Sequence, residues 1–133
     1  MKRFSFPKTK RLVKNEQFRA VLSRKLRFSN DLLVLFVAQN DCRFPRLGVT
    51  ISKTTANAVA RNRLKRLTRE AFRKNQEKIP QGLDYLVMIS PEWAKKFDKK
   101  EDLKQAVKKI NADLIEKAFI ELAKKAGKIV ENE

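Results

Sequence analysis

Apolar and polar positions along the chain predict three strands and three helical regions. Leu32-Leu-Val-Leu-Phe-Val-Ala38 is an unbroken apolar run between Asn30-Asp31 and Asn40-Asp41. It is too short for a good helix and rich in β-formers, so 32–38 reads as a buried strand. Leu47, Val49 and Ile51 then alternate with Gly48, Thr50 and Ser52, which predicts strand 45–52 with one apolar face and one small, polar face. The connection Asp41–Pro45 predicts that these two strands pair antiparallel as a hairpin. Tyr85-Leu-Val-Met-Ile89 is a third strand, stopped by Pro91. It lies in the same sheet, reached through the intervening helix.

Helical spacing appears in three places. Phe18, Val21 and Leu22, behind a capping Asn15, predict helix 15–25. Ala60, Leu64, Leu67 and Ala71 share one side of a second helix, for which Thr54 and Thr55 offer capping hydroxyls and which ends near Asn75. Pro80 and Gly82 break the chain after it. Leu103, Val107, Ile110, Leu114, Ala118, Phe119 and Leu122 mark a third stripe, with Gly127 suited to a helix stop. Residues 1–13 are a basic arm without periodicity, and 125–133 read as a frayed tail. The order α-β-β-α-β-α is an α+β sandwich of helices against a small sheet. Its 133 residues, read as a single domain 1–133, need no disulfide or metal to complete a core.

Charge sharpens the picture. Lys and Arg number 32 against 15 acids, a net charge of +17. Six of those cations fall in 61–73: Arg61, Arg63, Lys65, Arg66, Arg69 and Arg73, with Glu70 the one acid. On a helix Asn62, Lys65, Arg66, Arg69 and Arg73 oppose the apolar side, and Arg61 and Arg63 flank them. The simpler alternative is a solvated face with pairs such as Glu70–Lys74, but one acid does not neutralise six bases. A face this basic favours a polyanion, and its arginines suit bidentate contact with phosphate. Lys53, between a strand and this helix, suits an anion as well. Phe18 and Phe36 read first as core. The small side chains at 48, 50 and 52 nevertheless leave a floor on which an extended nucleic-acid strand could lie between aromatic and cationic walls.

Other chemistry is poorly served. The chain has no histidine, which removes Ser-His and Cys-His nucleophiles and His metal ligands. Asp31, Asp41, Glu70 and Asp84 are oxygen donors for Mg²⁺ in principle, but they are scattered and read as surface charge. No catalytic or metal-binding constellation is expected. Cys42 is the sole cysteine and reads as a reduced thiol of the cytoplasm. No secretion signal, lipidation signal or membrane-length apolar run is visible, so no membrane partner is expected.

The stretch Leu47-Gly-Val-Thr-Ile-Ser-Lys-Thr-Thr-Ala-Asn-Ala-Val-Ala-Arg-Asn-Arg-Leu-Lys-Arg-Leu-Thr-Arg-Glu-Ala-Phe72 resembles the protein subunit of bacterial ribonuclease P. The pattern Ala-Val-x-Arg-Asn-Arg-x-Lys-Arg-x-x-Arg-Glu is highly specific, and the likeness extends over roughly residues 8–123. It implies a ribosomal-protein-like fold with a mixed sheet and a left-handed βαβ crossover, where the default hand is right. It also implies an RNA-binding subunit that assists a catalytic RNA in removing the 5′ leader of precursor tRNA. The active site and the catalytic Mg²⁺ would then belong mainly to the RNA, with no obligate protein partner. By position, Arg61, Asn62, Arg63, Lys65, Arg66 and Arg69 match the helix that faces that RNA. Phe18, Phe36, Ser52 and Lys53 match the cleft for the single-stranded leader. The chain departs from the pattern at Thr54, where a second lysine is common, at Ala56, where glycine is common, and at Leu22, where an aromatic is common. Two rivals follow from composition alone: a self-sufficient metal-dependent nuclease and a structural ribosomal protein.

Overall fold

A computed structural model describes residues 26–40 and 44–131. The arm 1–13, helix 15–25 with Phe18 and Leu22, and Cys42 lie outside the described residues.

Strands β1 (Leu26–Ser29), β2 (Leu33–Gln39), β3 (Arg46–Thr50) and β4 (Leu83–Ile89) form one mixed sheet in the order β1-β2-β4-β3. β1 with β2 and β2 with β4 are antiparallel, whereas β3 and β4 are parallel. The expected hairpin between the second and third strands therefore does not form, because β4 lies between them. The physical reason is burial. Leu83, Asp84, Tyr85, Leu86 and Val87 of β4 are all buried, so β4 needs a neighbour on each edge and cover on each face. β1 was not anticipated. Its Leu26 and Phe28 are half-buried while Arg27 and Ser29 are exposed, the period of an edge strand. The β1–β2 turn is held by Asn30, whose Oδ1 accepts from the amides of Leu32 (3.2 Å) and Leu33 (2.9 Å). Its Nδ2 donates to the Ala118 carbonyl at 3.0 Å.

The helices are α1 (Ala58–Asn75), α2 (Pro91–Lys95), α3 (Lys100–Lys109) and α4 (Ala112–Glu131). The long C-terminal stripe is thus divided. Ile110 is extended, and Asn111 restarts the helix by accepting from the Leu114 amide at 2.9 Å. Gly127 does not stop α4 but lies within it, and the helix continues to Glu131. A Cβ at 127 would stand 2.5 Å from Cγ of Pro80, so glycine is required for close approach, not for termination. Gly82 does use its freedom: it has φ +72° just before β4.

One sheet face builds the main core. Leu35, Val37, Tyr85, Val87 and Leu47 meet Leu64 and Phe72 of α1 and Ile115, Phe119 and Leu122 of α4. At its centre three rings meet edge-on: Phe72–Tyr85 at 6.5 Å, Phe72–Phe119 at 6.3 Å and Tyr85–Phe119 at 6.0 Å. The Tyr85 hydroxyl donates to the Pro80 carbonyl at 2.7 Å, and burial raises the phenol's pKa above its ordinary value.

Two outcomes test this packing. Gly127→Ala, a change that gains about 1 kcal/mol in an open helix, is expected to lose roughly 1–3 kcal/mol here through overpacking against Pro80. Denaturant unfolding reads the sign. Tyr85 is the only tyrosine. Its folded pKa is raised, so its contribution is intact below the ordinary phenol value of about 10 and falls as pH climbs above it. Tyrosinate absorbance should therefore appear only with alkaline unfolding; a normal titration in the folded protein would place the ring in solvent.

Candidate nucleic-acid interface

The basic helix starts later than its threonines suggest. Asn57 caps α1, its side chain accepting from the Ala60 amide at 2.9 Å. Thr54 and Thr55 belong instead to a tight turn after β3. The Thr54 amide donates to Ser52 Oγ at 3.1 Å, and the Thr55 amide donates to the Ser52 carbonyl at 3.1 Å. The buried side of α1 is Leu64, Thr68, Ala71, Phe72 and Asn75. Leu67 is only half-buried, and two polar residues take core positions instead. Both are satisfied within the helix: Thr68 Oγ1 donates to the Leu64 carbonyl at 2.8 Å and Asn75 Nδ2 to the Ala71 carbonyl at 2.7 Å.

That burial leaves Asn62, Arg66 and Arg69 exposed and Lys65 half-buried. The expected basic face then separates into two groups. Lys65, Arg66 and Arg69 make no ion pair or side-chain hydrogen bond among the described residues. Arg61, Arg63 and Arg73 are engaged internally. Arg61 donates to the Ala56 carbonyl at 2.8 Å, ahead of its own helix. Arg63 donates to the carbonyls of Val107 and Ile110 at the end of α3. Arg73 meets Glu70 at 2.7 Å, and that hydrogen bond holds the Glu70 carboxyl below its usual range.

The other candidate surface is the second face of the sheet. Strand register sets Phe36 beside Leu86 and Leu86 beside Gly48; Val34 lies beside Met88 and Met88 beside Thr50. Phe36 is half-buried against Ala38 and Leu86. Thr50 and Ser52 line a hollow of about 320 Å³ with Met88, Pro91 and Lys95. Phe36, Thr50 and Ser52 therefore border one face, but Gly48, Val34 and Leu86 on that face are buried, so the open floor expected at position 48 is not found. Lys53 is exposed but lines a different groove, beside α1 and α3.

Carboxylates are scattered or occupied. Arg46 grips Asp84 through two bonds, 2.6 and 2.7 Å, and Asn40 Nδ2 donates to the same carboxylate at 2.8 Å. Among the described residues no three His, Cys, Asp or Glu side chains come together as metal ligands, and no helix is long and apolar enough to cross a membrane.

Comparison with known proteins agrees with this geometry. The Ribonuclease P family model matches residues 6–126. The ribonuclease P protein component of Clostridium botulinum (strain Loch Maree / Type A3) is 40% identical over 121 residues, covering 90% of this chain and 96% of that protein. The RNase P protein from Thermotoga maritima superposes with a TM-score of 0.71 at 24% identity over 86% of this chain and 96% of that one, a likeness of fold. A mutant Staphylococcus aureus RNase P protein gives a TM-score of 0.70 at 27% identity, covering 90% and 89%. The chain thus belongs to the ribonuclease P protein family, whose members are the protein subunits of a ribonucleoprotein endoribonuclease.

Proposed function

We propose that this subunit positions precursor tRNA for a catalytic RNA, docking on that RNA through the outer side of α1 and receiving the single-stranded 5′ leader on the second face of the sheet. The observation that carries the reading is the set Lys65, Arg66 and Arg69, exposed or half-exposed and without an ion pair among the described residues, the Glu70 carboxylate near Arg66 being bonded to Arg73. Cations in that condition bind phosphate by displacing its counterions. Asn62 adds a neutral donor and acceptor on the same side.

The sheet face suits an unpaired strand. Phe36, half-buried, offers a ring edge or face to a base, while half-buried Thr50 and exposed Ser52 are small enough for a backbone to approach. Contacts of this kind tolerate any sequence, as a leader-binding surface must. Bond scission and Mg²⁺ are assigned to the RNA. With Asp84 held by Arg46 and Glu70 by Arg73, the described residues do not fit a protein-held Mg²⁺ site. The protein's contribution is to lower the repulsion between an anionic leader and an anionic ribozyme, which lets processing proceed at lower Mg²⁺. The cytoplasm is the expected compartment.

Reconstitution with the catalytic RNA, scoring 5′ processing of precursor tRNA at limiting Mg²⁺, tests the whole reading; no stimulation by the protein would end it. The triple variant Lys65→Ala/Arg66→Ala/Arg69→Ala should weaken RNA binding and flatten the slope of log affinity against log salt by roughly 2–3. Its fold should survive, since surface substitutions away from packed contacts stay within about 0.5 kcal/mol each. Phe36→Leu keeps the apolar packing but removes the ring. It should weaken leader-bearing substrate by about 1 kcal/mol and leave leaderless substrate unchanged; equal losses on both would remove Phe36 from the leader site.

A further inference from the structure

A groove of about 760 Å³ runs between the start of α1 and the length of α3, on the other side of the 52–55 turn from the hollow that holds Thr50 and Ser52. Its rim carries Lys53, Lys100, Lys104 and Lys108, with Arg63 beneath, and no carboxylate among the described residues lines it. Its apolar lining is half-buried Leu103 at the floor and Val59, 80% exposed, on the α1 lip. Val59 thus stands beside a row of cations, and α1 has no acid in its first turn to offset the local charge.

The arrangement on α3 is selective. Lys100, Lys104 and Lys108 recur every four residues and therefore share one side with Leu103 and Val107. Asp102, Gln105 and Lys109 line a separate hollow with Trp93 and Phe97. Like charges four apart destabilise a helix unless something neutralises them. None of these three lysines, nor Lys53, makes an ion pair or side-chain hydrogen bond among the described residues. Arg63 explains how the groove keeps its width. Its guanidinium bonds the Val107 and Ile110 carbonyls, tethering the C-terminal end of α3 to α1. Arg63 is thus a positioning residue for the lysine row.

We infer that this groove seats an unpaired ribonucleotide of the catalytic RNA, its base against Val59 and Leu103 and its phosphates between Lys53 and the α3 lysines. The inference rests on the RNA-docking reading above and extends it to a surface outside the basic side of α1. An apolar floor within a cationic rim, facing the positive end of the α1 dipole, matches a flat base attached to an anionic backbone. A duplex would present phosphates but no exposed base face to such a floor.

The test measures affinity for the ribonuclease P catalytic RNA across a salt series, with thermal unfolding as a folding control. Lys100→Ala/Lys104→Ala/Lys108→Ala should weaken binding and flatten the salt slope by roughly 2–3. Val59→Ser, at an exposed position, should weaken binding several-fold without altering the slope. A benzophenone side chain at position 59 should crosslink to an unpaired nucleotide. If both variants bind as wild type while Lys65→Ala/Arg66→Ala/Arg69→Ala is impaired, the groove inference is overturned and the docking reading survives. If that α1 variant is also unimpaired, the docking reading itself fails. A lysine effect with no Val59 effect and no crosslink reduces the groove to general electrostatics and overturns the base seat. Displacement by polyglutamate more readily than by oligouridylate would assign the groove to an acidic protein and overturn it as well.

Discussion

The junction of Phe72, Tyr85 and Phe119 is the constraint from which the rest of the molecule follows. It joins α1, the central strand β4 and α4 through mutually edge-on rings that exclude water. With Phe72 locked there, α1 has no freedom to roll about its axis. Leu64, Thr68 and Ala71 must face inward, and Arg66 and Arg69 must face out. The exposure of the basic side is thus a consequence of aromatic packing on the other side, not of charge repulsion alone.

The arginines of this helix divide their labour in a way that composition conceals. Guanidinium groups are good partners for backbone carbonyls left over at helix ends as well as for phosphate. Arg63 takes up carbonyls at the end of α3, and Arg61 takes up the one at Ala56. A motif that reads as a uniform nucleic-acid face therefore includes side chains that hold the scaffold. The residues left facing solvent are fewer, and each carries a larger share of any interaction with a polyanion.

Local pattern made much of this legible, and the failures have a common cause. The apolar run at Leu32–Ala38, the alternation at 47–51 and the period of α1 each encode an element within its own residues. Sheet order is not encoded that way. It was decided by β4, whose burial on both faces depends on neighbours far away in sequence, and it displaced the expected hairpin. β1 is too short to stand out, and the break between α3 and α4 turns on Asn111, a cap hidden within a continuous stripe. Thr68 and Asn75 escaped a hydrophobic count because their polar groups are answered by carbonyls of the same helix. In the site, the outward direction of Arg66 and Arg69 followed from spacing. The internal bonds of Arg63 did not, since its partners are 44 and 47 residues away.

The parallel pairing of β3 with β4 has a kinetic meaning. Arg46 and Asp84, which close its end, are 38 residues apart, and the whole of α1 lies in the loop between them. Those strands cannot register until that loop has been closed, and contacts of such long range slow folding. The chain closed into that loop is also self-repelling, with nine Lys and Arg against two Glu between residues 47 and 83. Multivalent anions present while the chain is collapsing would shield it, so the nucleic acid that the mature protein serves could also hasten the protein's own maturation.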